Sequence, residues 1–413
     1  MPNRWTVLSA DRLFDGTGRP PISGGVVVIR DEEITEVGVR GKVGEPAGAR
    51  TVHFEAATIL PGLIDAHTHL IMPGDGSPGE EVMKCSDGIL LLRAVANAQR
   101  ALEAGITTLA DTGARNQVTF VLREAIRMGL GTGPRLVLCG RPLTRTGGHC
   151  WFLGGEADGP DGIRSAARQL LREGADIIKV MATGGGTIGT DPYRPSYRPR
   201  ELAVAVAEAH DAGKRAIAHC SATEGISRAL EAGFDVIFHA HFRQPDGQLE
   251  FQPEVAARLV DSGAYVNPTL EVNRVLAETL RSRAAELTPA EEAVLAERED
   301  RYAGQCENVA RLVQLGVKMV AGSDAGWGYV DFDGLLRELD AMLTVGMSAQ
   351  EVLLAATRNA ADALGVSSEV GTLEAGKKAD ILVVAGDPTS DLATLRNVKA
   401  VMLGGRFVKG EAA

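Results

Sequence analysis

Short β-type runs alternate with helical, Ala-rich stretches through the middle of this chain, from about residue 61 to about residue 365. Strands that alternate with helices build a parallel sheet, because each helix carries the chain back to the start of the next strand. Eight runs can be counted, which predicts an α/β fold with a closed (β/α)8 TIM barrel. A doubly wound open sheet is the alternative. The runs begin at Leu63, Gly105, Arg135, Ala175, Arg215, Phe234, Ala264 and Val317.

The two ends of the chain share a different pattern, in which apolar and polar residues alternate over short runs. Residues 25–37 show this pattern near the start, and residues 380–408 show it in the tail, with a Gly-Gly pair between two of the runs. Gly-Gly between alternating segments indicates a hairpin. The sequence therefore predicts a barrel over residues 61–365 and a small β-sandwich module built jointly by residues 1–60 and 366–413.

The composition excludes several classes of partner. The 413 residues are 45% hydrophobic and 23% charged, as in an ordinary globular enzyme. The net charge of −11 argues against nucleic acid or an anionic membrane as the main partner. No apolar run is long enough to cross a membrane, the N-terminus lacks a signal-peptide core, and the five cysteines contain no Cys-x-x-Cys pair. These features predict a cytoplasmic protein and leave a homo-oligomer open.

A His-x-His pair, His67 and His69, follows the apolar run of residues 58–64. Alternate side chains of a strand share a face, so the two imidazoles can bind one metal ion together. Neutral imidazole is the commonest protein ligand for zinc-like metals. A pair of polar residues that merely ends a strand is the alternative, but two imidazoles at this spacing favour a metal site.

Further ligand-type residues lie in or directly after other predicted strands, at the ends where barrel enzymes form their active sites. Lys179 lies inside the fourth run, His219 and His239 end the fifth and sixth, and Asp324 follows the eighth. Each has an ordinary explanation alone, as a lysine that snorkels, a core histidine or a turn aspartate. Burial inside a barrel would instead favour a neutral Lys179 amine, which can react with carbon dioxide to form an anionic carbamate. Together with the first pair, these residues predict a metal centre.

These motifs, in this order, resemble the amidohydrolase superfamily, and within it the prolidase-like and imidazolonepropionase-like group. The resemblance covers nearly the whole chain. The matching stretches are residues 60–69, 142–149, 178–186, 218–219, 231–239, 322–324 and 371–381.

The resemblance implies a binuclear centre of two divalent ions, usually Zn2+. His67, His69 and Asp324 would bind one ion, and His219 and His239 would bind the other. Carboxylated Lys179 would bridge both ions together with a hydroxide. That hydroxide would attack a carbonyl carbon, and Asp324 would pass its proton to the leaving amine, in keeping with the acidity of metal-bound water.

Four residues are candidate substrate contacts. His149 lies in a predicted loop after the third strand, where active-site loops cluster. Tyr193 and Arg194 follow the Lys179 strand, and an arginine suits the geometry of a substrate carboxylate. The fourth is His241, in a Phe-His-Ala-His segment where related proteins often have Glu-His-Gly, and it could be a substrate contact or a substitute ligand. Ser221 likewise stands where related proteins often have a second histidine.

The sequence thus predicts a metal-dependent hydrolase that cleaves an amide C–N bond. The resemblance suggests a dipeptide, Xaa-Pro included, or an N-acyl amino acid as substrate. A non-peptide amide, a carbamate, an aryl urea or a lactam is the alternative. Deamination of an aromatic base is disfavoured, because the deaminases of the superfamily usually lack the bridging lysine. A non-catalytic assembly protein is also disfavoured, since such relatives typically lose ligands and this chain keeps them.

Overall fold

The computed structural model describes residues 4–282 and 287–410. The first four strands are β1 (Trp5–Leu13), β2 (Ile22–Arg30), β3 (Glu33–Val39) and β4 (Arg50–Pro61). The strands of the middle region are β5 (Leu63–Thr68), β6 (Ile106–Asp111), β7 (Arg135–Leu138), β8 (Ile177–Met181), β9 (Arg215–Ala222), β10 (Val236–Arg243), β11 (Tyr265–Asn267) and β12 (Lys318–Met319). The tail adds β13 (Ile381–Ala385), β14 (Val398–Leu403) and β15 (Arg406–Lys409).

The α-helices lie mostly between consecutive strands of the middle region. They are α1 (Asp87–Glu103), α2 (Val118–Arg127), α3 (Gly159–Glu173), α4 (Pro199–Asp211), α5 (Thr223–Ala232), α6 (Pro253–Ser262), α7 (Glu271–Arg281), α8 (Pro289–Gln314), α9 (Leu335–Thr344), α10 (Ala349–Ala355) and α11 (Arg358–Ala363). Short 3-10 helices occur at Gly79–Lys84, Trp151–Leu153 and Leu392–Arg396. None of the helices in the part of the chain described here is both long and apolar enough to span a membrane.

Both ends of the chain contribute to one seven-stranded sheet, in the order β15-β14-β13-β4-β1-β2-β3. Its central pair, β1 and β4, is parallel, and the other neighbours are antiparallel. Alternate residues such as Leu8 and Ala10 on β1, Val27 and Ile29 on β2 and Ile59 on β4 are fully buried in one apolar cluster. The intervening residues Val7, Val26 and Val28 are buried in a second cluster, on the opposite face. This sheet is consistent with the β-sandwich predicted from the two chain ends.

The strands of the middle region form two parallel sheets, β5-β6-β7 and β12-β11-β10-β9-β8. Every residue of β5, β6 and β8 is buried, as expected of parallel strands that are covered on both faces. The α/β fold with parallel sheets, predicted from the strand and helix alternation, is confirmed.

Hydrogen bonds between main chains link the edges of the two parallel sheets. At one edge, the amide of Asp324 donates to the carbonyl of His67 over 2.8 Å, and the amide of His69 donates to the carbonyl of Ala325 over 2.8 Å. At the other edge, the amide of Leu143 donates to the carbonyl of Lys179, also over 2.8 Å. These links bring the carboxyl ends of β5 and β8 and the segment after β12 to one side of the protein.

Helix α7 is an element that the sequence analysis did not predict. It begins four residues after the last residue of β11, and it buries Ala277 and Leu280. Pro289 occupies the first turn of α8, where its missing N–H costs nothing, and the Thr288 hydroxyl accepts a hydrogen bond from the amide of Glu291.

Candidate metal centre and active-site cavity

His67, His69 and Asp324 converge at the link between β5 and the segment after β12. The Oδ1 atom of Asp324 lies 3.3 Å from Nε2 of His67 and 3.2 Å from Nε2 of His69. One ligand-type atom from each of the three buried side chains lies within 4.8 Å of the other two. This spacing fits a single metal ion placed between the three atoms.

The second nitrogen of each imidazole in this group faces a carbonyl oxygen. His67 Nδ1 lies 3.0 Å from the side-chain oxygen of Asn267, and His69 Nδ1 lies 3.3 Å from the main-chain oxygen of Gly113. A carbonyl oxygen only accepts, so each Nδ1 must carry the proton. The Asn267 amide nitrogen donates to the oxygen of Gly322, which holds its carbonyl toward the ring. Both Nε2 atoms are therefore left with a free lone pair for a metal.

His219 and His239 form a second imidazole pair beside the first. Their ring centroids are 4.4 Å apart, and the ring of His239 lies 5.2 Å from that of His67. The Nε2 atom of His219 lies 3.1 Å from the carbonyl oxygen of Gly184, and Nδ1 of His239 lies 2.7 Å from the hydroxyl of Thr269. One nitrogen of each ring is thus engaged by the protein, and the other remains for a ligand.

Lys179 is buried among these imidazoles, with 1% of its surface exposed. Its Nζ atom lies 3.8 Å from the centroid of the Phe238 ring. Burial lowers the pKa of the amine to about 8, because the charged ammonium loses its hydration. This lower pKa increases the fraction of neutral amine near neutral pH.

Burial also sets the charge of the neighbouring groups. It lowers the pKa of His67, His219 and His239 well below the usual imidazole value, so the rings are neutral, as metal ligands must be. For Asp324, burial acts to raise the pKa, but contacts with His67 and His69 outweigh it and hold the pKa below its usual range. The site thus combines neutral nitrogen donors with an ionised carboxylate.

Asp65 is a supporting residue that the sequence analysis missed. Its carboxylate accepts hydrogen bonds from the Ser323 hydroxyl over 2.5 Å and from the Ser323 amide over 2.9 Å. The next residue, Asp324, has a left-handed backbone with φ +61°. The contact therefore anchors a strained turn that presents Asp324 to the imidazoles. The sequence signal was its place two residues before His67, on the same side of the strand.

A cavity of about 240 Å³ lies over this group, and all six predicted metal ligands line it. Three of the four predicted substrate contacts, His149, Tyr193 and His241, also line it. The ring of His149 lies 4.5 Å from that of His219. The ring of His241 lies 5.4 Å from that of His239, and neither of its ring nitrogens has a hydrogen-bond partner among the described residues.

The prediction for Arg194 requires a correction, because the structure does not bring this residue into the central cavity. Its side chain is 76% exposed, and it pairs with the carboxylate of Asp191 at 3.4 Å on the surface of the same loop. Because Asp191 lies only three residues away along the chain, this ion pair holds the Arg194 guanidinium outside the cavity. The arginines that do line the cavity are Arg243, Arg298 and Arg301. None of these was singled out from the sequence.

Weak signals for these three arginines were present in the sequence. Arg243 continues the every-second-residue series of His239 and His241, and Arg298 and Arg301 are three residues apart on α8, which places them on one helix face. The end of β10 is nevertheless irregular, because His239, Ala240 and Phe242 adopt left-handed backbones. Simple alternation therefore does not describe the orientation of His241.

The fold and the site define an α/β protein with a candidate metal centre at the carboxyl ends of parallel strands. Residues 58–408 match the amidohydrolase family, and the chain belongs to this family. The chain is 26% identical to ochratoxinase of Aspergillus niger over 98% of its own length and 87% of that protein. It is 26% identical to imidazolonepropionase of Acidiphilium cryptum, over 90% of each chain.

Comparison with solved structures gives a similar result. The fold superimposes with a TM-score of 0.86 on a Xaa-Pro dipeptidase that was crystallised with methionine in its active site. The two proteins are 26% identical, and the match covers 98% of this chain and all of the other. The prediction of a prolidase-like and imidazolonepropionase-like member of the amidohydrolases is thereby confirmed.

Proposed function

We propose that this protein is a hydrolase that uses two divalent metal ions, most simply Zn2+, to cleave an amide C–N bond in a small molecule. The observation that carries the proposal is the convergence of His67, His69 and Asp324 with the second imidazole pair and Lys179 around one cavity. Members of the amidohydrolase family are generally metal-dependent, which agrees with this donor set.

The scaffold of the proposal is a closed (β/α)8 barrel over residues 61–365, accompanied by a module from residues 1–60 and 366–413. Hydrogen bonds across both edges of the two parallel sheets support closure, since they join β5 to the segment after β12 and the segment after β7 to β8. The common side to which these links bring the strand ends is where barrel enzymes place their chemistry.

The donor set fits two metal ions. His67, His69 and Asp324 would hold one ion, because their free ligand atoms already face one another. His219 and His239 would hold the other, and Lys179, as a carboxylated carbamate, would bridge the two. A neutral Lys179 amine is needed for carboxylation, and burial favours it by lowering the pKa.

When bound, the metal ions supply an acidified water and a polarised carbonyl. Asp324 is placed to accept the proton of the attacking water on its carboxylate and to deliver it to the departing amine nitrogen. Its carboxylate is ionised before the reaction, so it is ready to act as the base.

His149 would contact the substrate carbonyl oxygen. Its Nδ1 atom lies 2.7 Å from the hydroxyl oxygen of Thr187 and accepts a hydrogen bond from the Thr187 amide over 3.4 Å. The oxygen of the same hydroxyl accepts a hydrogen bond from the amide of Cys150, so the hydroxyl can donate its own proton to Nδ1 of His149. The proton of the neutral ring therefore resides on Nε2. Burial lowers the pKa of His149 to about 3, which keeps the ring a neutral hydrogen-bond donor.

The preferred substrate class is a dipeptide, Xaa-Pro included, or an N-acyl amino acid. Cationic side chains in the cavity favour a substrate with a free carboxylate near the scissile amide. The similarity to a Xaa-Pro dipeptidase supports the same class. Neutral carbamates, aryl ureas, lactams and other non-peptide amides are the second candidate class. We also assign the protein to the cytoplasm, in keeping with its five free cysteines.

A metal analysis combined with a hydrolysis screen tests the proposal. Protein produced with ample zinc should contain about two metal ions per chain. It should hydrolyse members of a panel of dipeptides and N-acyl amino acids, and lose that activity after chelation. A metal content near zero would reject the metal mechanism, and turnover confined to carbamates, ureas or anilides would select the second class.

A further inference from the structure

Three arginines line the cavity that contains the candidate metal ligands. Arg243 is the last residue of β10, and Arg298 and Arg301 project from α8. Tyr193 and His241 line the cavity together with them. This group of five side chains, the arginine cluster, is separate from the six predicted metal ligands.

The partners of the three guanidinium groups are mostly neutral. Arg298 donates to the side-chain oxygen of Asn273 over 3.1 Å, and Arg301 donates to the Tyr193 hydroxyl over 3.4 Å. Arg301 also pairs with the partly exposed carboxylate of Glu297. Across the described part of the chain, no other carboxylate forms an ion pair with any of the three arginines. Three cations and one carboxylate leave the arginine cluster, considered apart from the candidate metal ligands, with two excess positive charges.

Several donors of the cluster are also unused. The Nε atoms of Arg243 and Arg298 are buried and have no hydrogen-bond partner within residues 4–282 and 287–410, and the same holds for both ring nitrogens of His241. Burial, followed by repulsion from Arg301, lowers the pKa of Arg243 to about 10 and also lowers the pKa of Arg298. Buried cations and donors without partners destabilise the folded protein unless a bound anion neutralises the charge and accepts the hydrogen bonds.

A single α-carboxylate would neutralise one of the two excess charges. We propose that the arginine cluster also binds a second carboxylate, so that the preferred substrates are peptidyl or N-acyl derivatives of glutamate or aspartate. This inference rests on the proposed amide hydrolysis and names the amine half of its substrate. An arginine and a carboxylate form paired, charge-assisted hydrogen bonds, which makes the site selective against the isosteric amides glutamine and asparagine.

Matched substrates test the inference directly. The ratio of kcat/KM for Ala-Glu over Ala-Gln, and for Ala-Asp over Ala-Asn, should be about tenfold to a hundredfold in the metal-loaded wild type. Arg298→Gln and Arg243→Gln should each bring the larger of these two wild-type ratios close to one. Arg311→Gln is the control, because Arg311 lies on the same helix and pairs with Glu307 outside the cavity. The control should keep the wild-type ratio.

Calorimetric binding of the free amino acids gives a readout that does not depend on turnover. Glutamate or aspartate should bind the metal-loaded wild type about tenfold or more tightly than its amide, and Arg298→Gln should abolish the difference. Equal turnover and equal binding of the acids and their amides in the wild type would overturn the inference. Amide hydrolysis without acid preference would reject the arginine subsite alone. Tight binding of the acids without hydrolysis of any amide would reject the proposed function alone.

Discussion

The Nζ atom of Lys179 lies 3.8 Å from the centre of the Phe238 ring, and the same ring stacks on the imidazole of His67 at 3.9 Å. An aromatic ring gives the amine only a weak attraction, whereas a carboxylate would hold it as an ammonium ion. Phe238 therefore stabilises the charged amine less than a carboxylate would, and burial can lower the pKa of Lys179 toward the neutral form that carboxylation requires.

Removal of this amine should disturb the metal centre specifically. In Lys179→Ala, we expect the metal content to fall from about two ions per chain to about one, with loss of most activity. Short carboxylic acids such as formate or propionate should restore part of the metal content and part of the activity. Lys214→Ala is the control, because Lys214 directly precedes β9 at the end opposite the site. Full activity of Lys179→Ala in the absence of added acid would show that another group bridges the metals.

The role of Asp324 as a proton carrier predicts a defect in turnover. Asp324→Asn preserves the shape of the side chain but removes its proton-accepting power, so kcat should fall by roughly a hundredfold or more while substrate binding persists. Metal content should be measured on the same preparation, because the carboxylate is also a predicted ligand. Asp333→Asn, at an exposed acid nearby in sequence, should behave like the wild type. A change confined to KM would assign Asp324 to substrate binding.

The hydrogen bond between His67 and Asn267 should tune metal affinity. Asn267→Leu has a similar volume but removes the oxygen that accepts from Nδ1, so the ring loses its fixed orientation and proton position. Loss of such a supporting contact typically weakens metal binding by roughly tenfold to a hundredfold. Competition with a chromophoric chelator measures the change, and Asn397→Leu at an exposed position is the control. Identical affinities for the two variants would mean that the contact does not support the metal.

The predicted metal ligands could be recognised in the sequence because each belongs to a local pattern. His67 lies near the end of a buried strand, His69 directly follows that strand, and Lys179 interrupts an apolar one. Such patterns need only neighbouring residues to be recognised. For the same reason, the strand and helix alternation was sufficient to predict the parallel sheets of the fold.

The arginine cluster could not be recognised in this way. Arg243 and Arg298 are 55 residues apart and meet only through the packing of α8 against the end of β10. Arg194 follows a predicted strand and was therefore favoured, but a local ion pair with Asp191 keeps it at the surface. The left-handed backbone at His239 could not be predicted from the local sequence either. Glycine, and occasionally asparagine or aspartate, adopts this conformation routinely, and histidine is not among these residues.

Glu338 offers a test of the structure away from the metal centre. This side chain on α9 is fully buried, one oxygen accepts the amide of Glu271 over 2.7 Å, and the other has no partner among the described residues. Burial raises the pKa of its carboxyl to about 8, and hydrogen bonds from the amides of Glu271 and Leu270 offset this only in part.

The consequence is a stability that depends on pH with a defined sign. In the unfolded chain Glu338 loses its proton near pH 4.5, whereas in the folded protein it keeps the proton until about pH 8. The folded state therefore binds the extra proton, and the free energy of unfolding falls as pH rises through this window, by on the order of 4 kcal/mol for this group. Glu338→Gln removes the effect, so its stability relative to the wild type should increase from pH 4.5 to pH 8.5. Urea unfolding at both pH values measures the difference, with exposed Glu292→Gln as the control. Parallel pH profiles for Glu338→Gln and the wild type would show that this carboxyl is already ionised in the folded protein at neutral pH.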